Sequence, residues 1–315
     1  MPRSFVLLAA SALAWLISAP AFAEVRVLTS IKPLQLIAAA VQHGVSVPDV
    51  LLPPGASPHH YALRPSDLRR VKEAELFYWI GPDLESFLPR VLDGRQGSSL
   101  AVQDLQGLHL RRFGEEHRHD EEPPQEPDSH KGHDDSDQLH RPGALDVHLW
   151  LRPENARLIA VRMASDLTVA DPANAARYRA NVDAFEQRLE ALDSKLKARL
   201  KPLAGKPFFV FHQAFDYFEE AYGLQHAGVF AVSAEVQPGA RHVAAMRERL
   251  QAAGPACVFS EPPMRPRLAQ TLSDGLPVLF AELDALGFGL EPVTGDYEKL
   301  LVNLADELAG CLEQL

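Results

Sequence analysis

Cysteine is almost absent: Cys257 and Cys311 are the only two in 315 residues, which excludes a disulfide-dense scaffold. No apolar run in the chain reaches the roughly 20 residues needed to span a bilayer. Positive charge is in deficit, with 31 Lys and Arg against 42 Asp and Glu and a formal net charge of −11. Broad electrostatic attraction to nucleic acid or anionic lipid is excluded on that ground. There is no glycine-rich phosphate loop and no His-Glu-x-x-His, so neither nucleotide-driven chemistry nor a helix-borne zinc protease is indicated. What remains is ordinary globular usage, 46% hydrophobic and 23% charged. At roughly 100–200 residues per domain, the length predicts about two domains.

The first 23 residues read as an address. Arg3 precedes an apolar run from Phe5 to Ile17, and Ala21-Phe22-Ala23 forms a small-x-small cleavage pattern before the polar Glu24. This is a secretory signal peptide, expected to be removed after Ala23. The mature chain is then exported and soluble, without direct membrane insertion. In an oxidising compartment Cys257 and Cys311 are expected to pair, the alternative being two buried free thiols. The bridge would close a loop of about 55 residues, worth about 4 kcal/mol in a chain-entropy picture. It would tie the C-terminal helix to a strand of the last domain.

Short apolar runs alternate with helical periodicity, which predicts an α/β fold built from βαβ units around parallel sheets. Strands are expected at Val25–Ser30, Leu76–Ile80, Phe208–Phe211, Cys257–Ser260 and Val278–Ala281. Helices are expected at Pro65–Ala74 and Val243–Ala253, among others, and no internal repeat is evident. The stretch Asp171–Leu200 carries Tyr178, Val182, Phe185, Leu189, Leu192, Leu196 and Leu200 on one stripe. A helix of that length extends about 45 Å, enough to run along two domains. A coiled-coil dimer would use the same stripe, but two heptads flanked by α/β patterns favour a backbone helix within one chain.

Residues 115–140 contrast with everything around them. They hold His117, His119, His130, His133 and His140 and ten acidic residues against Arg118 and Lys131, a local charge of −8. With Pro123, Pro124, Pro127 and Pro142 and almost no apolar side chains, this insert cannot bury a core. It is expected to be a disordered surface loop. Its imidazoles, neutral near pH 7, suit it to collecting Zn²⁺ weakly; a solvated linker with incidental histidines is the plainer alternative.

Three histidines outside the insert stand at strand or loop junctions. His60 lies in Leu-Pro-Pro-Gly-Ala-Ser-Pro-His-His-Tyr (52–61), His148 in Asp-Val-His-Leu-Trp (146–150), and His212 ends Phe-Phe-Val-Phe-His (208–212). Ligands of open α/β sheets sit beyond the carboxyl ends of strands, and three converging imidazoles would suit tetrahedral Zn²⁺ at about 2.0–2.1 Å. Spacing alone does not bring residues 150 positions apart together, and each histidine also reads as a packed or capping residue.

A series of longer words carries more weight. They are Thr29-Ser30-Ile31-Lys32-Pro33, Pro53-Pro54-Gly55-Ala56-Ser57-Pro58-His59-His60-Tyr61, Gly81-Pro82-Asp83-Leu84-Glu85, Asp146-Val147-His148-Leu149-Trp150-Leu151-Arg152-Pro153-Glu154-Asn155-Ala156, Phe211-His212-Gln213-Ala214-Phe215-Asp216-Tyr217-Phe218 and Glu282-Leu283-Asp284-Ala285-Leu286-Gly287. In order and spacing they resemble the cluster of solute-binding proteins that feed zinc or manganese to bacterial ABC importers, and most closely its zinc-type periplasmic members. The resemblance implies an N-terminal α/β lobe over 24–167, a bridging helix over 168–203 and a C-terminal α/β lobe over 204–315, with metal held in the cleft between lobes. By position His60, His148 and His212 match the family's metal ligands, and Asp284 matches its aspartate ligand, with a water as the alternative fourth donor. Manganese-type relatives place a carboxylate where this chain has His212, so three imidazoles favour Zn²⁺ over Mn²⁺. Some zinc relatives carry Glu where this chain has His59; adjacent side chains in extended backbone diverge, and His59 is expected to face solvent. Glu235 and Glu261 are candidates for orienting the ligands.

The implied function is capture of Zn²⁺ in the periplasm and delivery to an ABC permease in the inner membrane, by a monomer that is not an enzyme. A periplasmic zinc buffer or chaperone, an exported zinc hydrolase and a manganese-type binding protein are the competing readings.

Overall fold

The computed structural model describes residues 24–114, 143–231, 239–262 and 267–315. The first half contains β1 (Val27–Thr29), α1 (Lys32–Val41), β2 (Asp49–Val50), α2 (Pro65–Glu73), β3 (Leu76–Trp79), α3 (Pro89–Leu92) and β4 (Ser98–Ala101). Its strands pair in parallel in the order β2-β1-β3-β4. After α4 (Pro153–Ala170) and α5 (Ala175–Leu200), the second half contains β5 (Phe208–His212), α6 (Asp216–Tyr222), β6 (Gly228–Ala231), α7 (Ala240–Ala253), β7 (Ala256–Ser260), α8 (Arg267–Leu272), β8 (Val278–Glu282) and α9 (Asp296–Leu312). Its sheet is again parallel, in the order β6-β5-β7-β8. The α/β class with two parallel sheets and one long helix is the expected one.

The five strands expected from apolar runs are β1, β3, β5, β7 and β8, and the two named helices are α2 and α7. Three strands carried no such signal. β2 has only two residues, β4 is Ser-Ser-Leu-Ala, and β6 opens on Gly228. Pairing with a buried neighbour, rather than intrinsic propensity, makes them strands.

The long helix starts later than Asp171-Pro172 suggests. Asp171 ends α4, and a short 3-10 turn at Pro172–Asn174 leads into α5. Asp171 still acts locally, its Oδ2 accepting from Asn174 Nδ2 at 2.7 Å and from the Tyr178 hydroxyl at 2.8 Å. Six of the seven stripe residues are buried, and Leu192 is partly so. The stripe packs against α1 and α4 on one side and α9 on the other. One apolar core therefore runs without a break from Val25 to Leu312, with a smaller cluster around Phe209, Phe230, Met246 and Leu250 on the far face of the second sheet. A coiled-coil dimer would need this face, which the chain itself covers.

Cys257 on β7 and Cys311 on α9 form a disulfide with their Cα atoms 6.2 Å apart, the connection expected between the C-terminal helix and the last sheet. No helix among the described residues is long and apolar enough to cross a membrane.

Candidate metal centre

The carboxyl ends of both sheets face one cleft, a cavity of about 330 Å³ walled by Gly55–His59, His148, Trp150, His212, Glu261, Pro262, Asp284–Leu286 and Phe288. Parallel strands all present the same end, so residues just past β5, β7 and β8 are brought to it by topology. His212 is the last residue of β5, Glu261 follows β7, and Asp284 lies two residues past β8. The first half contributes from connections: His59 from the turn after β2, and His148 at the start of the 3-10 turn Leu149–Leu151.

Three imidazoles meet there. Ring centroids are 5.8 Å apart for His59 and His148, 5.5 Å for His59 and His212, and 5.0 Å for His148 and His212. One ring nitrogen from each lies within 4.8 Å of the other two. Tetrahedral Zn²⁺ at about 2.0–2.1 Å from each nitrogen sets them about 3.4 Å apart, so a shift of an ångström or so in each ring closes the group on an ion. All three are buried, at 5%, 3% and 3% exposure.

The pair His59-His60 is inverted relative to expectation. His59 is buried against the other two rings, while His60 is exposed. Divergence of adjacent side chains requires one of the two to point inward but does not say which. The local turn decides it: the His59 N–H donates to Ser57 Oγ at 3.3 Å, and this tight return through Pro58 directs His59 into the cleft.

Two of the rings are held by carboxylates. Asp146 Oδ1 accepts from His148 Nδ1 at 2.8 Å and from the His148 N–H at 3.0 Å. Glu261 Oε1 accepts from His212 Nδ1 at 2.8 Å. A carboxylate on Nδ1 fixes the tautomer, leaves Nε2 as the donor, and makes the imidazole more basic toward a metal. Burial, and then the neighbouring His212, push His148 well below the usual imidazole range, so this ring is neutral at pH 7. Burial raises Asp146 to about 7, against the opposing hydrogen bond from the His148 N–H. Asp146 gave no sequence signal beyond standing two residues before His148.

Asp284 lines the cavity but is not one of the converging group. Its Oδ1 accepts the N–H groups of Leu286 at 2.9 Å and Gly287 at 2.7 Å, and its Oδ2 accepts that of Phe288 at 2.7 Å. The carboxylate thus holds the turn that forms one wall. Glu235 and the insert histidines His117, His119, His130, His133 and His140 lie outside the described residues.

The two halves are joined beside the cleft by polar contacts. Trp150 Nε1 donates to the Ala285 carbonyl at 2.8 Å, and the Tyr297 hydroxyl to the Trp150 carbonyl at 2.7 Å. The Tyr217 hydroxyl donates to the Asp146 carbonyl at 2.9 Å and accepts from the Arg111 N–H at 2.9 Å. Arg111 and Arg152 both bond Glu220 of α6.

Residues 27–311 match the family described as zinc-uptake complex component A, periplasmic. The high-affinity zinc uptake system protein ZnuA of Yersinia pestis is 38% identical over 296 residues, covering 92% of each chain. A crystal structure of ZnuA superposes with a TM-score of 0.73 at 22% identity, covering 91% of this chain and 98% of that one. The solute-binding protein FpvC of Pseudomonas aeruginosa, in complex with Mn²⁺, gives the same TM-score at 18% identity, covering 92% and 99%. The shared fold thus does not choose the metal.

Proposed function

The chain belongs to the family of periplasmic zinc-uptake components, and from that membership we propose that it captures Zn²⁺ between its two sheets and hands it to an ABC permease in the inner membrane. The carrying observation is the approach of His59, His148 and His212, from three separate segments, to within 4.8 Å at their ring nitrogens. Three neutral nitrogen donors suit Zn²⁺ better than Mn²⁺, which prefers oxygen. A water completes the tetrahedron, because Asp284 is turned to three amides of its own loop and is not one of the converging donors.

Capture exchanges the hydration of the ion for imidazoles held in place beforehand by Asp146 and Glu261, so little ordering remains to be done on binding. The contacts beside the cleft and the shared core along α5 favour small shifts of ligand loops over wide opening of the halves. Reading the chain as a carrier assigns it no chemical step. The His/acid-rich insert serves as a weaker collector, supported by its composition, and the signal peptide directs export and is removed after Ala23. The protein acts as a monomer, which the covered stripe of α5 supports.

Calorimetric titration of the apo protein with Zn²⁺ tests this. One tight equivalent is expected, retained when residues 115–142 are deleted and absent when His59, His148 and His212 are all replaced by Ala. A tight equivalent that persists in the triple variant would refute the reading.

A further inference from the structure

A second group of donors lies on and just after α6. Asp216, Glu219 and His226 each offer an atom within 4.8 Å of the others. They line a separate cavity of about 640 Å³ that shares no wall residue with the histidine cleft. The chain folds back to make the group: α6 ends at Gly223, whose left-handed φ of 68° turns the backbone and returns His226 over the helix.

A structural clasp explains part of this arrangement. Glu219 Oε2 accepts the His226 N–H at 2.8 Å and sits 2.9 Å from His226 Nδ1. That contact closes the turn and needs nothing more. Asp216 is what the clasp leaves over. The residue is only 8% exposed, and only its Oδ2 is engaged, by Gln213 Nε2 at 2.7 Å. Its Oδ1 is buried, accepts no hydrogen bond from any described residue, and lies 3.6 Å from His226 Nδ1, beyond hydrogen-bond reach. Arg111 Nη2 stands 3.9 Å from Oδ2, but Arg111 also serves Glu220, so one guanidinium is shared between two carboxylates. A buried carboxylate oxygen without a donor is costly, and a cation between it and the Glu219–His226 pair would remove that cost.

We propose that Asp216, Glu219 and His226 form a second, independent binding site for a first-row divalent transition cation. Two oxygens and one nitrogen make it a harder donor set than the three imidazoles of the cleft. It is therefore more tolerant of Mn²⁺ and weaker for Zn²⁺.

The full-length protein, its cleft first filled with one equivalent of Zn²⁺, is titrated with Mn²⁺ while free Mn²⁺ is read by electron paramagnetic resonance. Wild type is expected to bind one equivalent more than the Asp216→Asn/His226→Gln variant, and deletion of residues 115–142 preserves that difference. Equal uptake by wild type and variant would overturn the proposal. Retention of one tight Zn²⁺ equivalent by the variant shows that it has folded. A measurement without substitution gives the same decision: bound Mn²⁺ should selectively broaden the amide resonances of residues 223–226, and unbroadened resonances would refute the site. Neither readout depends on whether the cleft delivers zinc to a permease.

Discussion

The two halves of the molecule share one topology and use it in opposite ways. Each sheet places its first strand second in the order and its third strand beside it, so each has the same crevice between those strands, where open α/β sheets bind ligands. In the first half the crevice between β1 and β3 is plugged. Glu85 reaches back into it, accepting from Ser30 Oγ at 2.5 Å and from the N–H groups of Ile80 and Gly81 at 3.3 and 2.9 Å. Gly81, at φ 149°, takes a conformation that L side chains rarely adopt, and a Cβ there would run into the Gln103 side chain. In the second half the corresponding crevice between β5 and β7 carries His212 with Glu261 behind it. One carboxylate is thus spent on backbone amides and buried completely, while the other orients a ring that faces a cavity. A repeated fold gives two crevices; among the described residues only the second carries a ring that faces the cavity, and the first half brings His59 and His148 there from connections instead.

Unequal donation sets the order of expected effects. His59→Ala and His212→Ala each remove a nitrogen donor, one from each half. Each should weaken Zn²⁺ binding by more than about 10³-fold, above roughly 4 kcal/mol and beyond the 10–100-fold range seen for outer-shell partners. Competition titration against a chelator measures this. Loss confined to one of the two variants would mean that the halves do not share the ion.

Only the second half is tied by a disulfide. Cys257→Ala/Cys311→Ala should lower unfolding free energy by about 2–5 kcal/mol, read by urea denaturation, while changing Zn²⁺ affinity far less. A large loss of affinity with unchanged stability would reverse the roles assigned here to the bridge and the cleft.

The plugged crevice of the first half predicts a pH effect. Burial raises Glu85 to about 7 from 4.5, against the opposing hydrogen bonds of Ser30, Gly81 and Ile80. The folded state therefore keeps a proton that the unfolded chain gives up between those values. Stability attributable to Glu85 should fall as pH rises through that window, by about 3 kcal/mol in total. Glu85→Gln should remove this decline when unfolding is compared near pH 4 and pH 8, and an unchanged slope would show that Glu85 stays ionised in the fold. In the second half, Glu261→Gln leaves His212 in place but exchanges its carboxylate for a neutral amide. Zn²⁺ affinity should drop about 10–100-fold, less than for removal of the ring itself.

How far the sequence foretold these features depended on how local each signal was. Val27–Thr29 and Phe208–His212 were legible because buried parallel strands are continuous apolar runs. The stripe from Tyr178 to Leu200 was legible because helical burial is periodic. Asp49–Val50 and Ser98–Ala101 were not, since their strand character comes from neighbours distant in sequence. His148 and His212 were reached through words shared with a family, not through spacing. Asp146 and the Asp216, Glu219 and His226 group were passed over although each is local in the chain, because carboxylates near a histidine are common and only burial distinguishes these.

His59 and His60 are the smallest test and the sharpest. The two residues have the same chemistry, are adjacent, and sit in a turn whose alternation guarantees that only one ring can point inward. Their contributions should therefore be nearly all or nothing. His60→Ala should change Zn²⁺ affinity by less than about twofold, as expected for an exposed side chain without a partner at the site, beside the collapse expected for His59→Ala. If His60→Ala proved the damaging change, the turn through Ser57 and Pro58 would have to be rotated by one residue in the loaded protein. The first half would then reach the ion through a loop that rearranges on binding, while the second half holds its ligand on the end of a fixed strand.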